Sequence, residues 1–185
     1  MRPSNRQRIL EAAVTIANER GLGGVTFDSV SDAVGITKAG LLYHFTSKDA
    51  LLLGIQEHLA ALWEEELELA AGKSAHDASE TERLVAYVKA CGRSATRGEL
   101  TMQLEAASND TLNAPWAVVL ERWRQVPGSS ADKRSIALQS AALAADGMWS
   151  AEALGCGDLT SDARQHIVAH LVEMIESHSP KKENE

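Results

Sequence analysis

The sequence predicts an all-α protein of about nine helices, a module of short N-terminal helices followed by a larger helical body. Three observations carry this. Apolar residues recur at helical spacing in the long segments, and no alternating strand pattern occurs. Ala, Leu and Glu are abundant, with only 4 prolines in 185 residues, which favours helix. Hydroxyl caps and glycines punctuate the chain where short helices start and stop.

From Asn5 to Arg20, Ile9, Leu10, Ala13, Ile16 and Ala17 fall at offsets 0, 1, 4, 7 and 8, the stripe of an amphipathic helix. Gly21, Gly23 and Gly24 end it. Thr26 caps a second helix that turns Phe27, Val30, Ala33 and Val34 inward, and Gly35 breaks it. Thr37 caps a third over Lys38–His44, with Leu41 and Phe45 facing inward. Ser47 caps a fourth, whose stripe of Leu51, Ile55, Leu59 and Leu62 runs on toward Gly72. Beyond the polar stretch GKSAHDASETE, helices are expected at 80–97, 99–109, 114–125, 131–154 and 160–177. Pro115 suits a first-turn position and Pro127-Gly128 a stop. The ending HSPKKENE reads as frayed, so the expected organisation is a module over 1–47, a body over 48–178 and a disordered tail over 179–185.

The chain is 44% apolar and 24% charged, the balance of a folded globular protein rather than a disordered one. No apolar run is long enough to span a membrane. The opening MRPSNRQRIL leads into a pattern broken by Glu11 rather than into a hydrophobic signal region, and the expected location is the cytoplasm. Cys91 and Cys156 lie far apart without a CxxC spacing, which suggests neither zinc nor a disulfide framework. Each is expected to be a small core residue, and no cofactor is expected.

The net charge of −8 argues against a nucleic-acid partner until its distribution is read. Residues 1–50 carry six Lys or Arg against five Asp or Glu, whereas the remainder carries twelve against twenty-one. Any contact with DNA therefore belongs to the first fifty residues.

Those residues contain a helix, a glycine turn and a short second helix led by a capping Thr: TFDSVSDAVGITKAGLLYHFTSKDALL. This is the helix-turn-helix plan, whose second helix enters the major groove of double-stranded DNA. Thr26 and Thr37 cap helices, and a cap hydroxyl beside free backbone amides also donates to phosphate. Lys38 stands at the groove-facing start of the third helix, within reach of a guanine edge or a phosphate. Ala39 and Gly40 are small enough for close approach, and Leu42 suits a thymine methyl. Tyr43, His44 and Lys48 point to the DNA backbone.

With these residues in view, positions 6–55 resemble the DNA-binding part of the TetR family of repressors, RILEAAVTIANERG matching its first helix and LLYHFTSKDALL the join to its fourth. The resemblance implies a homodimeric, ligand-responsive repressor on a palindromic operator, with an effector pocket enclosed by helices four to eight. LLYHFTSKDALLLGIQEHLA and AADGMW are further similar to the actinobacterial multidrug-responsive branch, which implies planar cationic effectors and control of an efflux pump.

The body holds all 4 tryptophans, Trp63, Trp116, Trp123 and Trp149. With Leu67, Tyr87, Met102 and Met148 they are candidates to line the small-molecule effector pocket, although any single Trp also serves as core. Glu105 and Asp146 interrupt apolar stretches and are candidate partners for a cation held on aromatic faces. An apolar or acyl effector is the alternative. The broad stripes of SIALQSAALAADGMW and DARQHIVAHLVEMIE are expected to pair with their copies in a four-helix homodimer interface. A helical enzyme is the other class of reading. His166 and His170 are four apart, but there is no HExxH, no GxSxG and no phosphate-cradling glycine loop, so no catalytic or metal residue is assigned.

Overall fold

The computed structural model describes residues 4–93, 95–126, 132–156 and 159–179. Among these residues the chain forms nine α-helices and no strand: α1 (Asn5–Arg20), α2 (Phe27–Val34), α3 (Lys38–His44), α4 (Lys48–Ala71), α5 (Glu80–Cys91), α6 (Arg97–Ala107), α7 (Asp110–Trp123), α8 (Lys133–Leu154) and α9 (Ser161–Ser177). They divide into two compact units, one of Met1–Leu62 and Thr96–Ala117, the other of Trp63–Ala95 and Val118–Glu185. The division falls within α4 and within α7.

In the first unit α1 packs on α2 and α6, and α2 on α3. The Thr26 side chain accepts from Ser29 N while Ser29 Oγ accepts from Thr26 N, closing a reciprocal cap on α2. Gly35 then takes φ 73°, ψ 38° and ends α2, with its N–H donating to Ser31 O at 2.9 Å. Thr37 accepts from Gly40 N and starts α3 two residues later. Leu41 and Phe45 are buried, as their spacing predicts, and a Cβ on Gly54 would lie 2.6 Å from the Phe45 ring, so this glycine lets the ring lie against α4. Arg8 donates to Val34 O at 3.0 Å, tying α1 to the end of α2. Ala33 is exposed rather than inward, and Ser31 is buried instead, its hydroxyl satisfied by Asp28 O.

In the second unit α5, α8 and α9 pack on one another. Alanines 141, 142 and 145 are fully buried on α8 and permit close approach, and a Cβ on Gly92 would lie 2.5 Å from Val168. On α8, Ile136, Leu143 and Leu154 remain 53%, 63% and 60% exposed.

Several boundaries differ from those expected. α5 stops at Cys91 rather than 97, and α6 starts at Arg97 behind a Thr96–Glu99 capping box. α7 begins at Asp110, because Asn109 Oδ1 accepts from Thr111 N and Leu112 N and starts the helix a turn early. Pro115 consequently lies inside α7 rather than in its first turn. Leu62 is 42% exposed despite its place in the α4 stripe. Cys156 is exposed, unlike buried Cys91, because it follows the left-handed Gly155 that ends α8. Pro127-Gly128 and residues 180–185 lie outside the described residues, whereas Ser179 donates to Ile175 O at 3.0 Å.

Candidate nucleic-acid interface and effector site

α3 turns Leu41 into the core, which leaves Lys38, Ala39, Leu42 and Tyr43 on the exposed side. Tyr43 is 85% exposed, an unusual position for so large a ring, and its edge meets His44 with centroids 5.4 Å apart. His44 is half-buried at the end of α3. Lys38 Nζ lies 2.9 Å from Asp28 Oδ1 across the turn, an exposed pair that is readily exchanged for another partner. Lys48 is exposed at the start of α4, where Ser47 Oγ accepts from Ala50 N. Thr26 and Thr37 are exposed caps, and a Cβ on Gly40 would lie 3.3 Å from the Thr37 hydroxyl. The caps of α2 and α3, the exposed side of α3 and the start of α4 thus present two ammonium groups, a phenol and two hydroxyls to solvent, with the His44 imidazole half-buried.

The ten candidate effector residues divide between the units. Met102, Glu105 and Trp116 belong to the first and Trp63, Leu67, Tyr87, Trp123, Asp146, Met148 and Trp149 to the second. In the first unit Glu105 is exposed on α6, so it is not the buried carboxylate expected there. Trp116 and Met102 are core residues joined by Gln56, which sequence reasoning missed. Fully buried Gln56 donates to Met102 O at 3.0 Å and accepts from Trp116 Nε1 at 2.8 Å. Its place one turn from both Leu52 and Leu59 was the available signal.

In the second unit Leu67 and Trp123 are fully buried and Met148 nearly so, while Trp149 is half-buried. Trp123 Nε1 donates to Glu64 Oε1 at 3.4 Å. Trp63, Tyr87 and Asp146 come together: Trp63 and Tyr87 meet edge to face with centroids 6.4 Å apart, and Tyr87 Oη donates to Asp146 Oδ1 at 2.5 Å. Arg124, also missed, donates from Nε and Nη2 to Asp146 Oδ2 at 3.2 and 2.7 Å. Burial, nearby Cys91 and the Asp146 carboxylate push the Tyr87 phenol far up, which keeps it a donor. Burial and Asp146 push the Cys91 thiol up to about 12.

The family model described as bacterial regulatory proteins, tetR family, matches residues 9–55, and the one described as tetracyclin repressor-like, C-terminal domain, matches residues 81–176. The chain belongs to the TetR family. Members of the TetR family are transcription regulators, not enzymes. A negative transcriptional regulator of the biofilm operon in Staphylococcus aureus, IcaR, is 39% identical over 46 residues, 25% of either chain. The chain thus matches about a quarter of the length of such curated relatives. Solved structures share the TetR-family fold over nearly all of it. A transcriptional regulator from Rhodococcus has TM-score 0.67 at 15% identity, covering 94% of this chain and 97% of that one. A protein from Saccharomonospora viridis, assigned as a transcriptional regulator and solved with choline, has TM-score 0.65 at 22% identity, covering 92% and 95%. Multidrug binding protein EbrR, solved with imidazole, has TM-score 0.59 at 16% identity, covering 99% and 100%.

Proposed function

We propose that this protein is a cytoplasmic, homodimeric transcriptional repressor that holds a palindromic operator through α3 and is released by a small planar cation, in control of drug export. The observation that carries the DNA reading is that Lys38, Tyr43 and Lys48, on α3 and at the start of α4, are all exposed, and that the exposed hydroxyls of Thr26 and Thr37 cap α2 and α3. A surface phenol that touches almost nothing of its own chain suits phosphate contact better than packing. In the described residues no helix is long and apolar enough to cross a membrane. The exposed apolar side of α8 supports pairing of α8 and α9 with a second copy.

For the effector, Trp63, Tyr87 and Asp146 offer aromatic edges and faces beside a carboxylate, the pairing that attracts flat cations. A fold neighbour solved with choline, an organic cation, supports a cationic effector. An effector relieves repression only by binding one spacing of the two DNA-reading heads better than the other, and the coupling is reciprocal. α4 is the proposed lever, since Lys48 begins it and Trp63 lies about 22 Å further along the same helix.

Selection from random DNA should return a palindrome. On it, Lys38→Ala, Tyr43→Phe and Lys48→Ala are expected to weaken binding without lowering helicity, and each lysine variant to reduce the salt slope by about one for every phosphate it no longer neutralises. Variants that bind as tightly as wild type would sink the DNA reading. Release of operator by an uncharged acyl compound but not by a flat cation would favour the apolar-effector alternative.

A further inference from the structure

Trp63, Tyr87 and Asp146 form a continuous run in the second unit, and each end of it is occupied by one of the protein's own guanidinium groups. Arg93 stands 6.0 Å from the centroid of the Trp63 ring and also pairs with Glu66. Arg124 holds Asp146 through two hydrogen bonds, at 3.2 and 2.7 Å. An aromatic face and a carboxylate, the two features that recognise a flat organic cation, are thus both filled internally by flat cations.

We propose that Arg93 and Arg124 are built-in occupants of a site for a planar organic cation, and that such a cation binds by exchange, displacing Arg124 from Asp146 into a neighbouring cleft. The proposal rests on the effector reading above and adds the residues that oppose binding. A cleft of about 570 Å³ adjoins the cluster, lined by Arg124 together with Glu80, Glu121, Gln125, Arg134 and Leu138 among others. Glu121 lines this same cleft and so offers the displaced guanidinium a new carboxylate. Charge is then balanced before and after: Asp146 exchanges one cation for another, and Arg124 exchanges one carboxylate for another. Arg124 and Asp146 side chains are 27% and 34% exposed, so water and solutes reach the pair and its exchange is not blocked by deep burial. An anionic effector would instead need Arg124 kept in place, which makes the sign of one substitution decisive.

The probe is ethidium, followed by its fluorescence anisotropy on titration with full-length protein, beside the aromatic anion anilinonaphthalene sulfonate. Arg124→Met and Arg124→Gln are expected to tighten ethidium binding roughly three- to tenfold, the range that loss of a competing, partly exposed ion pair spans. Arg93→Ala should tighten it in the same direction, and Asp146→Asn, which keeps the shape and the Tyr87 hydrogen bond, should weaken it. Thermal melts of each variant identify any that do not fold, and the two Arg124 replacements guard against loss of one. Ethidium binding that is unchanged or weakened in both Arg124 variants overturns the exchange, as does ethidium binding to none of the proteins, or tight sulfonate binding that the Arg124 variants lose. Gel shifts of the same proteins on the selected palindrome, without dye, are a separate measurement. Failure there sinks the repressor reading while leaving the dye result to decide the exchange.

Discussion

Asp28 sits 2.9 Å from Lys38 on the face proposed to meet DNA, and its carboxylate opposes the approach of phosphate. Asp28→Asn is therefore expected to raise operator affinity several-fold at low salt, with the gain fading as ionic strength rises, readable by anisotropy of labelled operator. Gly98 is a second single-residue test. A Cβ there would come 2.8 Å from Asn18 Cα, a backbone atom that cannot turn away, so Gly98→Ala should cost about 1–3 kcal/mol and lower the melting temperature by several degrees. Gln56→Leu removes the acceptor of Trp116 Nε1 and should cost about 1–3 kcal/mol, measured by urea unfolding. Single residues also mark where sequence reading stopped. Thr26, Thr37 and Gly35 act locally and were legible. Gln56, Arg93 and Arg124 act through partners 60, 30 and 22 positions away, and nothing in the spacing of a polar residue names such a partner.

At the scale of the element, α5 begins with a reciprocal cap in which Ser79 accepts from Glu82 N and Glu82 accepts from Ser79 N, reinforced by Lys73 Nζ at 2.9 Å. Lys73 and the Ser79 backbone N–H hold the Glu82 carboxyl down from 4.5 to about 2. A carboxylate with a depressed folded pKa stabilises above its unfolded value and loses that contribution as pH falls through the folded one. The stability gap between wild type and Glu82→Ala should thus be full above pH 4.5 and shrink toward pH 2, as followed by urea midpoints. Helix positions were legible wherever cap and stripe agreed, as in α2 and α3. They slipped at α7, where Asn109 supplies an earlier cap than Pro115 suggested, and at α5, where Gly92 closes the helix before the apolar pattern ends.

For the whole molecule, two copies are proposed to meet through α8 and α9. Leu143→Arg, at a position 63% exposed in the single chain, should give monomers by light scattering at micromolar concentration and, with the paired heads separated, lose palindrome binding. Division of the effector candidates between two units was not legible, because α4 and α7 each run across the division and no break in either helix marks it. The opposite surroundings of the two thiols have a practical consequence at this scale. Burial and the Asp146 carboxylate push the Cys91 thiol up, so it stays protonated and is shielded from reagents, whereas Cys156 is open to solvent. The unaltered protein should accept a single maleimide dye, seen as one mass increment, and each protomer would then carry one reporter at the end of α8 for energy-transfer measurements of the distance between copies.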